Sequence, residues 1–289
     1  MTMKPSALQR FFQQEDLNFL VTNRIPRIAI TRAVGWFSQI RNPLLARLSI
    51  AVWRLFTDLD LSDAKKRRFD SLHDCFTREL WPSARPIDQS SGVITSPSDG
   101  IVGELGRVEN GRLYQAKGMP YTMRELFGPG QDLRPFEGGH FITLRLTSAM
   151  YHRFHAPDAA RLEHVSYISG DCWNVNPIAL KRVERLFCRN ERAVLRMQLS
   201  DGTPIALVPV AAVLVASIRL HALDVQRHLR QLGERGVHEW ACDRTYQRGE
   251  EIGWFQHGST IILFVPPGFE PMVKTGARLR MGQPLMRVS

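Results

Sequence analysis

Apolar positions in the first eighty residues recur at three- and four-residue spacing. Ile30, Ala33, Phe37 and Ile40 follow that rhythm, with Trp36 beside them. Asn42-Pro43 is a helix start signal, a capping side chain followed by proline at the first helical position. Beyond it Leu44, Leu45, Leu48, Val52, Leu55 and Phe56 form one broad stripe, with Arg47 and Arg54 on another face. Two readings of the stripe stay open: a helix lying at a lipid interface, or a helix packed on the protein's own core. Trp81-Pro82-Ser83-Ala84-Arg85-Pro86 breaks the helical pattern. From about residue 92 the period shortens to that of strands. Ile142, Leu144 and Leu146 alternate with Thr143 and Arg145, which predicts a half-buried strand. Arg192–Leu199, Ile205–Ile218 and Gly258–Val265 are further strands, and the nearly unbroken apolar run Val208–Ile218 predicts a central one. The fold class expected is α+β, with amphipathic helices over 1–80 and a β-rich body over 81–289.

Charge sharpens the reading of the helices. The formal net charge is +10, and residues 1–54 hold eight Lys and Arg against Glu15 and Asp16. Such an excess calls for an anionic partner, nucleic acid or an acidic membrane surface. The arginines lie among aliphatic side chains rather than in an aromatic-lined groove, which argues against single-stranded nucleic acid. No uncharged apolar run of about 18 residues occurs, and no signal peptide is expected, so membrane contact is expected to be peripheral. Lys65-Lys66-Arg67-Arg68 reads as a solvated loop. The four cysteines form no CxxC pair, which fits a reducing compartment and gives no support for a zinc knuckle.

Three separated segments carry candidate chemistry: Ser96-Pro97-Ser98-Asp99-Gly100, Tyr151-His152-Arg153-Phe154-His155-Ala156-Pro157 and Phe255-Gln256-His257-Gly258-Ser259-Thr260. Each is weak alone. Asp-Gly is a common turn, Gly-Ser-Thr is common in loops, and His-x-x-His lacks further ligands for a metal. Together they provide a carboxylate, an imidazole and a hydroxyl, the inventory of an activated serine in which the acid fixes the base. The surroundings are unlike a hydrolase elbow, Gly-x-Ser-x-Gly between strand and helix, because Ser259 runs into the apolar strand Thr260-Ile261-Ile262-Leu263-Phe264. Gly258 before it tolerates strained dihedrals, so the Ser259 hydroxyl can be bent toward the Gly258 carbonyl.

These segments, in this order, resemble bacterial phosphatidylserine decarboxylases. The likeness extends through Phe76-Thr77-Arg78, Arg85-Pro86-Ile87-Asp88, Gln115-Ala116-Lys117-Gly118, Gly170-Asp171, Val175-Asn176, Arg189-Asn190-Glu191-Arg192 and Gly282-Gln283-Pro284-Leu285, with Gly249, Glu251, Gly253 and Phe255 before the last motif. The resemblance implies a proenzyme that cleaves itself between Gly258 and Ser259, with Asp99, His155 and Ser259 as the self-processing triad. It implies a long chain, 1–258, and a short chain, 259–289, held as a heterodimer that dimerises further. Ser259 then becomes a covalent pyruvoyl group whose ketone takes the amine of phosphatidylserine and accepts the electrons released with CO2. By the same resemblance His152 handles substrate or delivers the proton, with His155 as the alternative proton donor. An anionic membrane surface is the implied partner, at the cytoplasmic face of a bacterial cell membrane. Three features depart from the family pattern: His257 in place of leucine, Met150 where many relatives have aspartate, and Ala211 and Ala216 where glycines are common. Two other functions remain to be separated from this one, a Ser-His-Asp lipid hydrolase with an intact chain and an inactive basic binding protein.

Overall fold

The computed structural model describes residues 19, 27–212, 218–225, 236–256 and 259–289. Among the described residues, the helices before residue 80 include α1 (Arg27–Ser38), α2 (Pro43–Phe56) and α3 (Leu72–Phe76). The α2 start signal works as read, since the Asn42 side chain accepts from the N–H groups of Leu44 and Leu45. The stripe on α2 does not pack inward. Leu44, Leu48, Val52, Leu55 and Phe56 are 54–79% exposed, and the buried residues of the helix are Ala46 and Ile50. α2 is held by its narrower side, where Ile50 joins Leu59, Ala64, Phe69 and Cys75, and Trp53 stacks on Phe76 with ring centroids 5.8 Å apart. In the basic run, Lys65 pairs with Glu79 at 2.7 Å and Lys66 with Asp74 at 2.8 Å, partly exposed contacts of small energetic weight.

The strands are β1 (Val93–Thr95), β2 (Gly100–Arg107), β3 (Arg112–Ala116), β4 (Met119–Thr122), β5 (His140–Leu146), β6 (Arg153–His155), β7 (Ala160–Ile168), β8 (Arg192–Leu199), β9 (Pro204–Ala211), β10 (Ile218–Leu220), β11 (Val237–Tyr246), β12 (Glu251–Phe255), β13 (Ser259–Val265), β14 (Phe269–Pro271), β15 (Arg278–Leu279) and β16 (Pro284–Val288). The main sheet is antiparallel with order β11-β7-β8-β9-β13-β5-β2-β15, so β13 lies between β9 and β5 near its middle. Smaller sheets are β1-β16-β14, β10-β12-β6 and β3-β4.

Both faces of the main sheet are covered. Ile261, Leu263 and Val265 of β13 face a core shared with β6, β10 and β12, through Phe154, Ile218 and Phe255. Ile262 and Phe264 face a second core closed by α4 (Met123–Phe127), α5 (Pro177–Arg182) and α6 (Leu186–Arg189), through Phe127, Ala179 and Phe187. Two cores explain why the central strands read as continuous apolar runs. They also correct the half-buried expectation for β5, where Thr143 is buried along with Ile142 and Leu144. The central strand expected to reach Ile218 ends at Ala211 as β9, and β10 begins at Ile218; residues 213–217 lie outside the described residues.

Candidate active site

Asp99 ends the turn between β1 and β2, and His155 ends β6. Two backbone contacts bring them together: the His155 N–H donates to Pro97 O at 2.8 Å, and the Gly282 N–H donates to Ser96 O at 3.0 Å. The first ties the histidine strand to the acidic turn, and the second seats that turn on the C-terminal segment. Both side chains are buried.

The His155 ring is fixed at both nitrogens. Nδ1 lies 2.9 Å from Gly249 O and Nε2 lies 3.0 Å from the Tyr151 hydroxyl. A carbonyl oxygen only accepts, so Nδ1 carries the proton. In the neutral ring Nε2 then holds the bare lone pair, accepting from Tyr151. Gly249 has a φ of +79°, and a Cβ there would overlap the Ile87 side chain, so glycine is required to aim this carbonyl. Burial pushes the His155 pKa below its ordinary value, against the opposing pull of the Gly249 carbonyl and nearby carboxylates. The result is an imidazole kept neutral and pointed, the state a general base needs. Burial likewise raises the Tyr151 pKa, so its phenol stays protonated and can donate.

The structure does not bring Asp99 into hydrogen-bond contact with the imidazole. Its carboxylate takes Arg85 in a fork, Nε to Oδ1 at 2.8 Å and Nη2 to Oδ2 at 2.7 Å, and Oδ1 also accepts from the Met281 N–H at 2.9 Å. Arg85 reaches on to Asp63 at 2.9 Å and lies 5.8 Å from the centre of the Tyr151 ring. The acid therefore meets the base through Arg85 and Tyr151, and its charge acts on His155 through space. A buried fork of this kind is strongly coupled; removing one partner costs on the order of 3–5 kcal/mol, because the other charge is left uncompensated.

His152 is buried with its ring against Phe76, centroids 4.0 Å apart. Its carbonyl accepts from the Phe255 N–H at 2.9 Å, so the histidine segment runs beside the strand leading to Gly258. The neighbouring Arg153 links the helices to this strand, donating to Thr77 O at 2.7 Å and to Glu251 at 2.8 Å, and His221 joins Glu251 at 2.7 Å. Ser259 opens β13 with its backbone paired to Leu146 of β5 and Ala211 of β9. Met150 sits just before Tyr151, its carbonyl accepting from Arg78 at 3.2 Å. Gly258, the departing His257 and Ala216 lie outside the described residues.

Arg85, Tyr151 and Gly249 stand in family-like segments, but the sequence reading gives none of them a part in the chemistry. Arg85 sits in a segment that reads as a linker. Tyr151 had a usable signal, an aromatic hydroxyl four residues from His155. A backbone carbonyl leaves none beyond the glycine that aims it.

A family model described as phosphatidylserine decarboxylase matches residues 72–287 of the chain. Three curated relatives carry the name phosphatidylserine decarboxylase proenzyme. That of Legionella pneumophila is 33% identical over 269 residues, covering 90% of this chain and 94% of the relative. That of Myxococcus xanthus is 35% identical over 248 residues, covering 84% and 87%. That of Actinobacillus pleuropneumoniae is 31% identical over 305 aligned positions, covering 100% of both.

Proposed function

The chain belongs to the phosphatidylserine decarboxylase family, and we propose that it decarboxylates phosphatidylserine to phosphatidylethanolamine through a pyruvoyl group made from its own Ser259. The observation that carries this reading is the neutral, doubly anchored His155, buried beside the acidic turn and beside the strand that leads to Gly258. In self-processing, the Tyr151 hydroxyl gives up His155 Nε2, which accepts the Ser259 hydroxyl proton as the oxygen attacks the Gly258 carbonyl, exchanging amide for ester. Loss of the Ser259 α-proton then breaks the Cβ–O bond and frees the Gly258 carboxylate. Water displaces ammonia from the remaining unsaturated residue to leave the ketone. The Gly249 carbonyl holds the ring at Nδ1 during these steps, and Asp99 holds Arg85 against the Tyr151 ring beside it.

The chain suits such a group. Ser259 begins a strand paired on both sides, so a new terminus there keeps its position. The pyruvoyl ketone supplies an electron sink for the carbanion formed as CO2 departs. The residues of the chain exclude water and move protons around it, and His152 is assigned to substrate handling or protonation. The short chain stays bound after cleavage, because β13, β15 and β16 pair with β1, β2, β5 and β9 of the long chain. Ile261 to Val265 are fully buried, and together these five side chains contribute on the order of 10 kcal/mol. Intact-mass measurement of the purified protein is expected to give two species ending at Gly258 and beginning at Ser259, the second lighter than its sequence by the conversion of serine to a pyruvoyl terminus. A single uncleaved species that still releases CO2 from phosphatidylserine refutes the proposal.

Membrane association is part of the same reading. Among the described residues no helix is long and apolar enough to cross a membrane. The outward row Leu44, Leu48, Val52 and Leu55 on α2, with Trp36 on α1, offers an apolar surface rimmed by Arg41, Arg47 and Arg54. We assign this face to the anionic cytoplasmic surface of the membrane. Each leucine removed from water contributes about 1.5–3 kcal/mol when fully buried. Leu48→Glu/Leu55→Glu is therefore expected to weaken co-sedimentation with phosphatidylserine vesicles by about tenfold or more while self-cleavage proceeds. Unchanged binding removes α2 from the contact.

A further inference from the structure

A polar cavity of about 380 Å³ opens beside the acidic turn, and the proposed catalysis leaves most of it unused. Its walls come from five distant segments. The loop after α2 contributes Asp58, Asp60 and Asp63, and the family-like motif after α3 contributes Arg78. Asp99, Tyr151, and Arg278 and Arg280 of the C-terminal segment complete the lining.

The charges in this cavity are unusual in what they leave unpaired. Arg85 is neutralised by Asp99 and Asp63. Arg78, Arg278 and Arg280 have no carboxylate within ion-pairing distance among the described residues, although Asp58 and Asp60 border the same space. Arg78 is 94% buried, as the complement of its 6% exposure, and spends its Nη atoms on the carbonyls of Cys75, Ala149 and Met150, leaving Nε unpartnered. That Nε is itself sealed from the cavity, so the Arg78 charge reaches the cavity through space, as its pull on Asp60 shows. Asp60 is held below its ordinary pKa by the Ser62 N–H and, more weakly, by Arg280 and Arg78, so it stays charged. Asp58 and Asp60 border the same cavity as Arg278 and Arg280 without pairing to them, an arrangement that fits a ligand carrying both signs of charge.

The cavity lies next to the end of α2 that carries the apolar face. The exposed Leu55 and Phe56 end α2, Thr57 follows, and Asp58 lines both this cavity and an adjoining space bordered by Thr57, Ala149 and Arg278. A phospholipid with its tails along α2 would bring its headgroup to this opening.

We propose that the cavity is a docking station for the serine phosphodiester headgroup, its phosphate held by Arg278 and Arg280 with the Arg78 charge behind them and its ammonium by Asp58 and Asp60, on the path from the bilayer to Ser259. The inference rests on the decarboxylase reading for the identity of the lipid, but its test does not need turnover. Calorimetric titration of the full-length Ser259→Ala chain with glycerophosphoserine, glycerophosphoglycerol and inorganic phosphate separates the possibilities. Glycerophosphoserine is expected to bind at least tenfold more tightly than the other two, because only it offers both charges. Arg278→Gln/Arg280→Gln is expected to lose tenfold or more of that affinity, and Asp58→Asn/Asp60→Asn to erase the preference over glycerophosphoglycerol. Absent binding, phosphate binding as tight as the serine ester, or variants with unchanged affinities overturn the proposal. If the headgroup binds while the wild-type protein releases no CO2, the station stands and the decarboxylase reading falls.

Discussion

Ser259→Ala is expected to migrate as one band of 33.0 kDa and to release no CO2 from phosphatidylserine. The substitution deletes one oxygen at the first residue of β13 and leaves the strand's backbone pairs to Leu146 and Ala211 intact. The fold should survive, since Ala lacks only the hydroxyl and Thr260 to Val265 remain buried between two cores. Both reactions fail for one reason. Without the hydroxyl no oxygen attacks the Gly258 carbonyl, and without that attack no ketone forms. Circular dichroism and thermal unfolding close to wild type, together with the single band, separate lost chemistry from lost structure. A lipid hydrolase with the same serine predicts the opposite control, a wild-type chain already in one piece. Cleavage of the alanine variant at the same bond, or persistent CO2 release, contradicts the assignment.

The sequence makes the scaffold of this site more legible than its wiring. Asn42-Pro43 announces α2, the run Arg192–Leu199 is β8 residue for residue, and the strand expected from Gly258 begins at Ser259. Those features are periodic or local, so they survive in one dimension. The direction of the α2 stripe does not, because amphipathicity is the same whether the apolar side meets protein or lipid. Only the burial of Ala46 and Ile50 settles it. The family-like motifs mark Asp99 and His155 but not how they communicate. The Arg85 fork spans 14 residues, the Gly249 carbonyl meets His155 across 94, and the Met281 N–H reaches Asp99 across 182. Contacts of that range depend on how β2, β6, β12 and the C-terminal segment converge, and no local spacing encodes them.

That wiring changes what loss of the acid means. In a directly bonded pair, Asp99 would set the imidazole tautomer. Here Gly249 O sets it, and Asp99 neutralises Arg85, which packs against the Tyr151 ring. Asp99 is then a positioning residue for the base as much as an electrostatic one. Its deletion also leaves a guanidinium buried beside Tyr151 without its strongest partner.

His155→Ala is expected to slow self-cleavage by about 10²–10⁴-fold, the usual worth of a positioned general base. Full-length chain should persist on a denaturing gel over times in which the wild type is fully processed. The pH profile of wild-type processing gives an independent check. Only neutral imidazole can take the serine proton, so the rate is maximal above the folded-state pKa and falls as pH drops through it. Burial lowers that pKa, and the plateau should therefore extend below the ordinary imidazole value of about 6.5 before the rate declines. The same shift links to folding: below about pH 6.5 the unfolded chain binds the proton that the buried ring refuses, so stability falls with pH in that window and is fully present above it. His152→Ala separates the two histidines. Its ring packs on Phe76 and its carbonyl, which the substitution keeps, holds Phe255, so cleavage is expected to continue while decarboxylation by the processed protein drops. A His155→Ala chain that matures at the wild-type rate, or a wild-type rate that declines well above pH 6.5, removes His155 from the role of base.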